Sequence, residues 1–126
     1  MNDLDEVVEA AIGLEGIESA VIFVRRPGST DLQLAAAAGI EGPPLDGLVA
    51  AIRNPEHPIV RAMADPAPSF DVRPMNPGGP ALRAHLPLDG LGVLAVTYEL
   101  PLPPAARAAL EGLAGSAAAL LARHTS

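Results

Sequence analysis

The sequence predicts a layered α+β domain in which a central antiparallel hairpin is covered on both sides. Two observations carry that expectation. Apolar runs flank Asp89-Gly90, a pair suited to the φ > 0 positions of a tight type I′ turn, so Leu82 to Leu100 reads as a hairpin. Its second run, Gly92 to Val96, is apolar without clean alternation, the pattern of a strand buried on both faces. Helices or loops must then lie above and below it.

Bulk properties bound the rest. A chain of 126 residues is large enough for one core and is read as a single domain, 1–126. With 49% hydrophobic residues, two Phe, one Tyr and no Trp, that core is aliphatic. Eight basic residues, all Arg, against fifteen acids give a net charge of −7, which disfavours direct nucleic-acid or anionic-membrane binding. The absence of Cys removes disulfides, thiolate catalysis and Cys-ligated metals. No apolar run approaches the roughly 18 residues of a membrane span, and Met1 is followed by acids rather than a basic signal-peptide region. The expected setting is the cytoplasm.

Asp3 to about Leu14 reads as a helix. Asp3 and Glu6 suit a capping box, and Leu4, Val7, Val8, Ala11 and Ile12 form one stripe. Ser19 to Arg25 is rich in β-branched residues and reads as a strand. Pro27 to Asp31 turns the chain, and Leu32 to Ala38 returns as its partner. Four consecutive Ala there favour a helix by propensity; the tight connection argues for a strand. Gly42-Pro43-Pro44 opens a short helix that Asn54-Pro55 ends, with Leu45, Leu48, Val49 and Ile52 sharing a face. Pro58 suits the first turn of a second short helix, Ile59 to Ala64, with Ile59, Val60 and Met63 inward. Asp65 to Ala81 carries five prolines and Gly78-Gly79, holds one short strand at Ser69 to Val72, and has the length of a lid or binding loop.

Pro101, Pro103 and Pro104 lead into a last helix, about Pro104 to Arg123. Its inner stripe is Ala106, Leu110, Leu113, Ala114, Ala117 and Leu121. The opposite side reads Ala108, Gly112, Gly115, Ala119 and Ala122, where charge is expected. So smooth a side suggests burial against a second copy of the chain; the plainer alternative is an exposed, alanine-rich helix.

Four local stretches also resemble a known family. They are Leu34-Ala-Ala-Ala-Ala-Gly39 followed by Pro43-Pro44; Glu56-His-Pro-Ile-Val-Arg61; Leu86-Pro-Leu88 followed by Leu91-Gly-Val-Leu-Ala-Val96; and Leu110 to Leu121. Together, in this order, they are similar to a GAF domain over nearly the whole chain. The resemblance implies a central antiparallel sheet of five or six strands. First and last helices would lie on one face, the short helices and the long loop on the other. It further implies a non-catalytic sensor that binds a small molecule under that loop, or a dimerising module of a signalling protein. The chain departs from the specialised members. It lacks the Cys of bilin-binding and methionine-sulfoxide-reducing relatives and the Asn-Lys-Phe-Asp-Glu signature of cyclic-nucleotide binders. It also lacks the His of haem binders, where it reads Asn76-Pro-Gly-Gly-Pro80. No cofactor is therefore assigned.

The candidate pocket residues are Phe70, Arg73, His85, Tyr98 and Met63, and the candidate dimer face is Ala108, Gly112, Gly115 and Ala119. His85 either offers a donor and an acceptor to a ligand or is a core imidazole satisfied by a backbone carbonyl. Arg73 either clamps an anion or pairs with Asp71; Arg61 and Arg83 carry the same ambiguity. Phe70 and Tyr98 are the aromatics able to line a pocket, whereas Phe23 reads as core. His57 reads as solvent-facing at a helix start and His124 as tail. Three scattered His give no metal-ligand spacing. Ser69, Asp71 and His85 resemble a hydrolytic set, but no nucleophile elbow frames the Ser.

Overall fold

The computed structural model describes residues 3–29, 31–73 and 82–125. In chain order the elements are α1 (Asp3–Ile12), β1 (Ile17–Arg25), β2 (Leu32–Ala38), α2 (Pro43–Ala51), α3 (Pro58–Ala62), β3 (Ser69–Val72), β4 (Leu82–Pro87), β5 (Gly92–Tyr98) and α4 (Pro104–Thr125). The strands form one antiparallel sheet in the order β2-β1-β5-β4-β3. Part of the long loop, residues 74–81, lies outside the described residues, as does Thr30 in the first turn.

The hairpin forms as its turn residues require. Asp89 and Gly90 have φ of 54° and 76°, and the Leu91 N–H donates to the Leu88 carbonyl at 2.9 Å. β5 pairs with β4 on one side and β1 on the other, and all but one of its residues are buried. Because side chains alternate along a strand, the sheet has two separate cores. Ala20, Ile22, Ala84, Leu86, Leu94 and Val96 face α1 and α4, meeting Val8, Ala11, Leu110, Ala114 and Ala117. Val21, Phe23, Val93 and Ala95 face the other way, meeting Ile52, Ile59 and Ala62 around α2 and α3. This is the expected two-sided sheet, with five strands.

Several boundaries move. α1 ends two residues early, its last turn closing with the Gly13 N–H on the Glu9 and Ala10 carbonyls. α3 ends at Ala62 rather than Ala64. α4 runs to Thr125, so His124 belongs to the helix and not to a tail. α2 buries no residue of its own; Leu45, Leu48 and Val49 are half-buried, and Ile52 just beyond supplies the anchor. One sequence expectation is overturned: Pro104–Arg123 is long and apolar enough, by length and composition, to cross a membrane, with mean hydropathy 1.2. Within it Leu110, Ala114, Ala117, Ala118 and Leu121 are buried towards the sheet, and 28% of the apolar window is buried in all.

Candidate functional site

On the α2/α3 face the apolar core gives way to a polar island. Leu82, Ala84 and Leu86 of β4 point to α1 and α4, so the intervening Arg83 and His85 point to α2 and α3. Arg83 lies across from Thr97 on β5 and Val72 on β3; His85 lies across from Ala95 and Ser69. The hydroxyls of Ser19 and Thr97 bond to each other. His57 reaches the island from the start of α3, where its Nδ1 accepts the Ile59 N–H at 3.2 Å and caps the helix. That bond leaves the proton of the neutral ring on Nε2.

The electrostatics of the island are one-sided. His85 is 3% exposed, and its pKa falls to about 4, first through burial, then through Arg83 and His57. Burial and Arg83 lower that of His57, and burial lowers that of Arg83. Within the described residues, His85 Nε2 and Arg83 Nε are both buried without a hydrogen-bond partner. Among the described residues neither side chain makes an ion pair. Buried polar groups are nearly always paired, so two orphans two residues apart on one strand face are unusual and call for a partner that the described residues do not supply.

The five expected pocket residues do not converge. His85 is at the island's centre, and Met63, capping α3, packs half-buried on the same face. Arg73 is exposed at the edge of the described segment and is not paired with Asp71. Phe70 and Tyr98 face α1 and α4, on the opposite side of the sheet. There Tyr98 OH donates to Asp71 Oδ1 at 2.8 Å and accepts the Asp71 N–H at 2.7 Å. Burial, then the Asp71 bond, push its phenol up to about 12. Arg107 of α4 closes the cluster: its Nη2 bonds Asp71 Oδ2 at 2.6 Å, its Nε bonds the Leu102 carbonyl, and its guanidinium lies 5.1 Å from the Phe70 ring centre.

A break in the strand puts Asp71 there. Its φ is +58°, and the β3–β4 register shifts between Ser69 and Val72, as at a bulge. Asp is one of the few residues that tolerate this backbone conformation. The carboxylate is thereby turned to the side of Phe70 and Tyr98, so Ser69, Asp71 and His85 are not assembled as a catalytic set. Arg83 is ambiguous from the sequence, and His57, expected to face solvent at a helix start, does begin α3 but is half-buried as its cap. The available signal was Arg83-x-His85, two polar positions on one face of a strand whose other residues are Leu82, Ala84 and Leu86. No local signal joins Arg107 to Asp71.

Two hollows lie away from the island. One, of about 860 Å³, runs between the α1–β1 turn and the β5–α4 connection, lined by Leu14, Leu100, Pro101 and Ala106 with Glu15 and Glu99. The other, of about 210 Å³, sits between Leu86 and Pro87 of β4 and Glu111 and Gly115 of α4. The expected dimer residues Ala108, Gly112, Gly115 and Ala119 are all exposed along α4, with open space about both glycines.

No protein-family model matches the chain, and no curated protein matches it. Among solved structures, it is similar to the second GAF domain of DevS from Mycobacterium smegmatis, with a TM-score of 0.69 and 21% identity. The match covers 96% of this chain and 91% of that one. The chain has a GAF fold.

Proposed function

We propose that this GAF-fold chain is a non-catalytic regulatory domain of the cytoplasm that binds a small molecule beside His57, Arg83 and His85. The observation that carries the reading is the pair of buried, unpartnered nitrogens, Arg83 Nε and His85 Nε2. Most buried polar groups in a structural core find a partner, which sets this pair apart. A route from the site to a partner is also on hand. β3 flanks the island through Ser69 and Val72, and its Asp71 holds Arg107 of α4. A ligand that shifts β3 therefore loads α4. A thermal-shift screen of metabolites spanning charged, polar and apolar classes tests the reading. Saturable stabilisation by at least one compound, weakened in Arg83→Gln, is expected; stabilisation by none overturns it.

A second reading, with a specific feature behind it, is a ligand-free pairing module. Ala108, Gly112, Gly115 and Ala119 give α4 a smooth exposed side on which a second copy fits closely. The same contact would serve the sensor as its output. Ala119→Glu places a charge on that side, and light scattering should then report half the mass of the parent. A parent that is already monomeric, or a variant of unchanged mass, removes the pairing from both readings.

A further inference from the structure

We propose that the group received by the island is a compact oxyanion, a carboxylate or phosphate, held between Arg83 and His85. The inference rests on the small-molecule reading above and adds the ligand's charge and size. Within a chain of net charge −7, this spot is cationic in character. The charges that act on His85 come from Arg83 and His57, and both oppose its protonation. The carboxylate nearest along the edge strand, Asp71, is turned to the far face and bound to Tyr98 and Arg107. Among the described residues the island thus lacks a counter-charge.

The donor geometry narrows the ligand further. Residues two apart on one strand face are spaced by about 7 Å along the chain. A carboxylate or phosphate, with several acceptor oxygens on one centre, can take an N–H from each side of such a gap. The guanidinium presents its donors in a fork matched to two such oxygens, and His85, with its proton on Nε2, adds a donor from the same strand. A neutral apolar molecule leaves both nitrogens as they are, buried and unpaired, and a cation is repelled. The sheet floor around them is small, with Ala95 and Thr97 next on β5 and Ile59 and Met63 above from α3. His85 is 3% exposed, so burial at these nitrogens favours a compact headgroup over a bulky ring.

The test is an NMR titration of the full chain, following the imidazole signals of His57, His85 and His124. Inorganic phosphate and acetate are the two anionic probes, glycerol the neutral one, and sodium chloride the control at matched ionic strength. Saturable shifts of His85 with phosphate, acetate or both, with His124 still, are expected; which of the two acts separates phosphate from carboxylate ligands. In Arg83→Gln the apparent affinity should fall at least tenfold. Should that variant fail to fold, the comparison of anion with chloride in the parent chain decides alone. Equal shifts at His85 and His124, or no difference from chloride, overturn the oxyanion. If a neutral metabolite alone stabilises the chain, the oxyanion falls and the small-molecule reading stands; if no compound of any class binds, both fall.

Discussion

At His85 burial outweighs every neighbour in setting charge. The imidazole loses its hydration, Arg83 and His57 add like-charge repulsion, and the neutral form persists to about pH 4 against an ordinary value of 6.5. The unfolded chain takes up a proton near 6.5 and the folded chain does not until about 4, so unfolding binds a proton between those values. The contribution is full above pH 6.5 and is lost as pH falls through 4, up to about 3 kcal/mol. Urea midpoints measured in chloride from pH 7.5 to 4 should fall steeply for the parent and less so for His85→Asn. Parallel pH dependences in the two proteins would show that the imidazole is not held neutral. That His85 lies in a strand was legible from its apolar neighbours. That its Nε2 lacks a partner was not, because this depends on what α3 and β3 bring near it.

Among the elements, the same substitution has opposite signs in β5 and α4. A Cβ on Gly92 would overlap the Phe23 carbonyl oxygen and lie 3.1 Å from Val24 Cα, where β1 runs closest. Gly92→Ala should destabilise by about 1–3 kcal/mol, as overpacking does. Gly112 and Gly115 have no atom within 4 Å of such a Cβ, so Ala there restores helix propensity at no steric cost. Each should stabilise by about 0.8–1 kcal/mol, read as a rise of a few degrees in Tm at low protein concentration. A loss at either α4 site would mean that something already packs on that side. The elements themselves were legible because their punctuation is local. Asp89-Gly90 fixed the hairpin, and Pro27 to Asp31 overrode the helical propensity of four Ala, which β2 indeed holds as strand. The ends of α1 and α3 were less so, since the last turn of each closes on backbone carbonyls that any residue supplies.

For the molecule as a whole, burial on both faces explains the sheet's position and hides its faces from the sequence. Val93 to Val96 are apolar at odd and even positions alike, so nothing in their order says that Leu94, Val96 and Tyr98 meet α4 while Val93 and Ala95 meet α3. The bulge at Asp71 breaks alternation once more, and Arg107 lies 36 residues further on. Tyr98 therefore reads as a ligand contact in sequence and serves as a tie in structure, joining β5 to edge strand β3 and, through Asp71, to α4. Tyr98→Phe removes one hydroxyl, leaving the Asp71 N–H without its acceptor and the carboxylate with Arg107. The expected cost is about 1–3 kcal/mol, and it should be local. In native-state hydrogen exchange the parent should show β1 and β5 slowest, being paired along both sides where β4 has only the short, irregular β3 beyond it, and α2 fastest of the helices, since it buries no residue of its own. The variant should exchange faster in β3 and in residues 102–107 while β1 and β5 keep their protection relative to global unfolding. A rise spread evenly over the sheet would mean that Tyr98 supports the core in general, and no rise at all would mean that the Asp71 bonds hold nothing.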